Sequence, residues 1–142
     1  MNNTELELLK IIADMNATPD GAYNIRANGK LADRQVTENI NIKTKTDNPG
    51  IDIIINETVH IPVIISETGL TDLVYNDFYI GENSDVTIVA GCGIHNCGEN
   101  ESRHDGIHTF YVGKNAKVKY IEKHYGEGDG NGSNIMNPTT IV

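Results

Sequence analysis

Tryptophan is missing from this chain, phenylalanine occurs twice and cysteine twice. A sequence poor in large aromatics but rich in β-branched residues and glycine suits strands and turns better than a helix bundle. Cys92 and Cys97 are the only thiols; in a reducing compartment they are free or act as ligands and do not form a disulfide. No stretch approaches the roughly 18 apolar residues of a membrane helix, and the amino end lacks a signal-peptide pattern. The expectation is a soluble, cytoplasmic protein. Basic side chains number 11 against 20 acidic ones, a net charge of −9. That balance argues against non-specific nucleic-acid binding, which needs a basic face. The acidic residues are scattered, as on a solvated surface; Lys114, Lys117, Lys119 and Lys123 are the one basic concentration. No Gly-Lys-Ser/Thr accompanies the glycine-rich segment 126–132, which excludes a P-loop and leaves that segment as a mobile loop. No Ser-His-Asp arrangement or nucleophile elbow can be picked out.

What is present is a repeat. Phe78-Tyr79-Ile80-Gly81-Glu82-Asn83-Ser84-Asp85-Val86-Thr87-Ile88-Val89 aligns without a gap on Phe110-Tyr111-Val112-Gly113-Lys114-Asn115-Ala116-Lys117-Val118-Lys119-Tyr120-Ile121, at an offset of 32 residues. Each copy reads strand, tight turn at Gly-x-Asn, strand, because glycine and asparagine tolerate positive φ. A period of this length is the mark of stacked, solenoid-like architecture. The expected fold is all-β, a right-handed parallel β-helix with a short N-terminal helix. Val86 would then stack on Val118 and Ile88 on Tyr120. An antiparallel sandwich or barrel is the alternative.

In a chain of 142 residues this makes one domain with a real core. Residues 1–38 form an N-terminal helix and irregular lead-in, and 39–142 the β-helix. Thr4-Glu5-Leu6-Glu7 reads as a capping box opening a helix from about Glu5 to Met15, with Leu8, Ile12 and Met15 on one face and Leu9 and Ile11 beside it. Pro19-Asp20-Gly21 ends it, and Asn28-Gly29 marks a turn. Ile51 to Ile55 and Val59 to Ile65 are apolar, β-branched runs of buried strands. Pro62 cannot donate to a ladder and is expected at a strand end, bend or edge. Thr139-Thr140-Ile141-Val142 is β-prone and without charged side chains, an edge open to pairing. Self-association as a two-fold dimer, burying the edge from Tyr120 to Val142, is therefore expected.

The densest chemistry lies at Cys92-Gly93-Ile94-His95-Asn96-Cys97, with His104 and His108 after it. Thiolate and imidazole are ligand types for zinc or iron. The spacing C-x4-C-x6-H-x3-H has too short a central gap for a zinc finger. Cys92, His95, Cys97, His104 and His108 are thus candidate metal or cofactor ligands; alternatively the cysteines are small packing residues and the histidines ordinary loop residues. Glu122 and His124 share the inward parity of Val118 and Tyr120. Buried charge needs a partner, so they are read as a structural pair, with a hydrolase or isomerase site built on them as the competing reading.

The run from His104-Asp105-Gly106-Ile107-His108 to Glu122-Lys123-His124-Tyr125-Gly126-Glu127-Gly128 resembles the SufB/SufD family of iron–sulfur cluster assembly scaffolds in its short archaeal and bacterial form. Asn134-Ile135-Met136-Asn137-Pro138-Thr139, Gly91-Cys92-Gly93-Ile94-His95-Asn96 and Gly21-Ala22-Tyr23-Asn24-Ile25-Arg26 fit as well. The resemblance covers nearly the whole chain but only the front part of a family member. The late coils, with the cysteine, histidine and glutamate implicated in cluster assembly, and the carboxy-terminal segment that docks the ATPase have no counterpart here. It implies a parallel β-helix, association in pairs (homodimer or family hetero-partner) and work with an ABC-type ATPase. The function so implied is that of a non-enzymatic binding protein holding iron or a nascent iron–sulfur cluster, with no nucleic-acid or membrane partner. The alternative is a structural or interaction module with no metal of its own.

Overall fold

The sequence repeat is a register in three dimensions. A computed structural model describes residues 1–13, 21–55 and 57–142. Its elements are α1 (Asn3–Ala13), β1 (Ala22–Ala27), β2 (Lys30–Gln35), β3 (Ile40–Thr44), β4 (Ile51–Ile55), β5 (Val59–Ile65), β6 (Thr71–Ile80), β7 (Asp85–His95), β8 (Ser102–Val112), β9 (Lys117–Glu127) and β10 (Asn134–Ile141). The strands make two mixed five-stranded sheets, ordered β2-β1-β5-β7-β9 and β10-β8-β6-β4-β3. From β4 onward, successive strands alternate between the sheets, and each pairs in parallel with the next but one. The β6–β8, β7–β9 and β8–β10 ladders all run at an offset of 32 residues. Val86 lies opposite Val118 and Ile88 opposite Tyr120, as the repeat requires.

The turns that lead the chain from one sheet to the other, between β6 and β7 and between β8 and β9, repeat too. Asn83 and Asn115 hold φ of 62° and 59°. Asn83 N–H donates to Lys114 O, and Asn115 Nδ2 reaches Asn83 Oδ1 at 3.4 Å. Side chains of alternate residues then face one shared core: Ile53, Ile55, Phe78, Ile80 and Phe110 from one sheet meet Val59, Ile61, Val86, Ile88 and Ala90 from the other. Helix α1 lies on the outer face of the first sheet, where Leu8, Leu9 and Ile12 pack against Tyr23, Ile25 and Ile64. Among the described residues no helix is long and apolar enough to cross a membrane.

Four expectations need correction. The capping box sits two residues earlier than expected: Asn2 Oδ1 accepts from Glu5 N–H at 2.9 Å, and Glu5 Oε2 accepts from Asn2 N–H at 3.1 Å. The Glu5 carboxylate also accepts from Ser66 Oγ at 2.9 Å, and this tertiary bond favours Glu5 over Glu7 as the capping glutamate. Ile11, expected beside the apolar face, is exposed, and Met15 and Pro19-Asp20 lie outside the described residues.

Residues 22–35, expected to be irregular, form the β1–β2 hairpin across the Asn28-Gly29 turn, and β1 continues the sheet by pairing in parallel with β5. Pro62 stands in the middle of β5, an interior strand. Its missing donor falls where the β1–β5 register is interrupted, between the Tyr23–His60 and Arg26–Val63 pairs. On its other side it faces Gly91, whose φ of 155° and contact with the Lys123 carbonyl leave no place for a side chain.

The glycine-rich loop after β9, expected to be mobile, stacks on the loop after β7. Asn96 N–H donates to Glu127 O and Gly132 N–H to Gly98 O, each at 2.9 Å. Asn131 Nδ2 donates to Glu99 Oε2 at 3.1 Å, again 32 residues apart. Cβ atoms at 130 and 132 would strike the carbonyls of Gly98 and Asn100, so the glycines let two backbones lie in contact.

Candidate functional site

Strand alternation decides which of the candidate residues can meet. Counting by two from Val86 carries β7 inward through Ile88 and Ala90 to Cys92, and outward to His95. On β8 the inward positions include His104, Gly106 and His108; on β9 they include Tyr120, Glu122 and His124. Between the sheets these strands close a cavity of about 10 Å³, lined by Cys92, His104, Gly106, His108, Glu122 and His124 among others. That volume is room for about one water molecule.

Each group in this interior has a definite environment. Arg26 forks Asp72, with Nη2 2.7 Å from Oδ1 and Nε 2.9 Å from Oδ2. His104, the ladder neighbour of Asp72, brings Nδ1 to 3.4 Å from Oδ2, near enough for attraction but not aligned as a hydrogen bond. Burial alone would raise the Asp72 pKa; Arg26 and His104 outweigh it and hold the carboxylate down at about 2. His108 stacks on Phe78 at 5.6 Å and leans on Tyr120 at 5.9 Å. Burial pushes its pKa down to about 4; Glu122 opposes that shift and His104 and His124 add to it. Burial, with help from the charges of Asp72 and Glu122, pushes the Cys92 thiol up. At neutral pH the interior therefore holds a protonated thiol and a neutral His108 imidazole.

Glu122 and His124 are the pair that parity suggested: His124 Nε2 lies 3.4 Å from Glu122 Oε2, and Tyr120 Oη donates to Glu122 Oε1 at 3.0 Å. Gly106 is required between the two histidines. A Cβ there would come 2.9 Å from His108 Nε2 and 3.3 Å from His104 Nε2, so both ring tips border the same gap. The Nδ1 atoms of both rings are buried without a hydrogen-bond partner. Imidazole Nδ1 atoms without a hydrogen-bond partner beside a small gap can take a water or one ion; the gap is too small for a preformed cluster. Among the described residues no three His, Cys, Asp or Glu side chains already stand in a metal-holding arrangement.

The five candidate ligands thus do not form one group. Cys92, His104 and His108 face the interior, while Cys97 is exposed in the loop after β7, beside His95. Cys97 Sγ lies 2.9 Å from His95 Nε2, and His95 Nδ1 lies 3.1 Å from Glu127 Oε1. The physical reason for the split is the period of two: an odd and an even position on one strand point to opposite faces. Three residues were not among the sequence candidates. Glu127 had a signal, since it stands one repeat beyond His95. Arg26 and Asp72, 46 residues apart on strands of different sheets, had none.

No protein-family model matches the chain, and neither does any curated protein or solved structure.

Proposed function

We propose that this chain is a component of an iron–sulfur cluster assembly scaffold of the SufB/SufD kind: a right-handed parallel β-helix that binds and does not catalyse. The observation that carries the reading is the run from His104 to Gly128. It spans β8 and β9, and it is the stretch in which the resemblance is most specific. The alternation of strands between two sheets, at an offset of 32 residues from β6 to β10, is what a stacked coil needs and supports the same reading. Iron or sulfide is cargo here. The side chains suited to meet it are the interior Cys92, His104 and His108, with Glu122 and His124 at the open side; Cys97 and His95 take no part in this reading.

The working form is a pair of β-helices in the cytoplasm, homodimeric or with a family partner, served by an ABC-type ATPase. Anaerobic incubation with ferrous iron and sulfide, gel filtration, then iron analysis and visible absorption tests it. Retention of about one iron or more per chain, reduced by Cys92→Ser and by His104→Ala, is the expected result. Iron emerging wholly in the small-molecule fraction from folded wild-type protein would reject it. That outcome would favour the second reading, a structural or interaction module. The stacking of His108 on Phe78 in a nearly filled interior favours that reading already, since it gives the histidine a packing role.

A further inference from the structure

Cys97, His95 and Glu127 form a relay on the outside of the molecule, apart from the interior group. His95 and Glu127 are ladder partners at the ends of β7 and β9. The Glu127 carboxylate only accepts hydrogen bonds, so the imidazole hydrogen sits on Nδ1, 3.1 Å from Oε1. That tautomer leaves the Nε2 lone pair facing Cys97 Sγ at 2.9 Å. Tyr125 Oη donates to the second carboxylate oxygen at 3.3 Å and fixes its direction. Nucleophile, base within reach, and a third group orienting the base are the parts that an activated thiol needs. The other cysteine is its opposite: Cys92 is buried between the sheets, and burial keeps its thiol protonated.

We propose that Cys97 is a reversible modification site, a nucleophilic thiol that forms mixed disulfides with low-molecular-weight disulfides. His95 Nε2 takes the thiol proton. The Sγ electron pair attacks one sulfur of RS–SR, the new Sγ–S bond forms as the old S–S bond breaks, and RS⁻ leaves to be protonated by the imidazolium. Cys97 is oxidised to the mixed disulfide and one half of the reagent is reduced to RSH, so no further oxidant is needed. Glu127 is a positioning residue that steadies the imidazolium between the two proton transfers. Acidic Glu99 and Asp129, exposed in the stacked loops beside Cys97, select among reagents: a cationic or neutral disulfide is favoured over an anionic one.

The test uses the full chain with cystamine and with oxidised glutathione as probes, followed by intact-mass and peptide mass spectrometry. Expected are one adduct, on Cys97 and not Cys92, and faster reaction with cystamine than with the anionic reagent. His95→Ala should slow adduct formation at pH 7 by about ten-fold or more, and added imidazole should restore part of the rate. Glu127→Ala should slow it less, and Glu127→Gln, which keeps an acceptor at Nδ1, should fall between Glu127→Ala and wild type. A His95→Ala variant that reacts as fast as wild type, or one whose slow reaction imidazole does not relieve, would overturn the relay. Equal modification of Cys92 would do the same. None of these readouts depends on iron binding, so this site and the scaffold reading stand or fall separately.

Discussion

Phe78 and Phe110 stack with ring centroids 4.7 Å apart and planes 14° from parallel, at equivalent positions of adjacent parallel strands. Tyr79 and Tyr111 repeat the arrangement on the outer face, 5.0 Å apart and 5° from parallel, yet 41 % and 52 % exposed. The two ladders have the same geometry and differ in burial, so they separate stacking from desolvation. Phe78→Ala should cost about 3–5 kcal/mol, the usual range for emptying a buried phenylalanine site. Tyr111→Ala should cost under about 1 kcal/mol, the scale of one cross-strand pair. Urea midpoints of the two variants check this; equal losses would mean that the outer tyrosines are covered in solution.

The repeat was readable because one strand register is written twice in the sequence, and identical spacing is all that parallel stacking needs. It placed Val86 over Val118 and Ile88 over Tyr120, and counting by two along the second copy put Glu122 and His124 on one face. The same counting assigns Cys92 inward and His95 outward, and an offset of one repeat points from His95 to Glu127; grouping the ligands by nearness along the chain hid both signals. Strand β2 was not readable for a different reason. Lys-Leu-Ala-Asp-Arg-Gln has no buried face, so no alternation marks it, and it exists because β1 offers an edge. Pro62 was misplaced because the sequence of β5 alone does not show that its pairing with β1 breaks off between Tyr23–His60 and Arg26–Val63. The helix cap shifted because its glutamate is chosen by Ser66, 61 residues away.

Acid should unfold this protein through His108. Its pKa is lowered in the folded state from 6.5 to about 4, so the unfolded chain binds the proton more readily. The stability tied to its neutral form is complete above about pH 6.5 and is lost as pH falls to about 4, some 3 kcal/mol in all. His104, His124 and Glu122 face it, and Glu122 opposes the shift. His108→Phe, which keeps a flat ring against Phe78, should flatten the fall in stability between pH 6.5 and 4.5. Urea titrations at the two pH values read this directly; an unchanged slope would place the acid sensitivity elsewhere.

Arg26 and Asp72 hold the lead-in hairpin to the second sheet through one ion pair. Asp72 is 4 % exposed, so removing its partner strands a charge that burial penalises. Arg26→Ala should cost about 3–5 kcal/mol, and Arg26→Met with Asp72→Leu should recover most of that. The folded carboxylate titrates at about 2, below its usual 3.8. Its contribution is therefore intact above about pH 4 and disappears between there and pH 2. Thermal unfolding of the single and double variants at pH 7 and pH 3 distinguishes the pair from simple packing.

Strands β9 and β10 are the last members of their sheets, each with one side unpaired among the described residues. Ile141 and Val142 are exposed beside them, and Phe110, Val112, Val118, Tyr120, Thr140 and Val142 line an apolar hollow of about 220 Å³ at the same end. The Glu122 carboxylate and the His124 imidazole are also partly open to solvent. An unpaired strand row with apolar side chains is a template for another chain, and proteins that avoid such pairing place lysine or proline on the edge. Lys119 and Lys123 stand on β9, whereas β10 carries no basic residue and one proline, Pro138. The β10 edge is thus the less protected of the two, and a second copy can add to it by two-fold pairing. Light scattering at tens of micromolar should show a dimer. Ile141→Lys should weaken it by about ten-fold or more while leaving the thermal midpoint of the diluted chain within a few degrees of wild type. A wild-type monomer at that concentration would mean that the β10 edge is blunted by Pro138 and its twist alone.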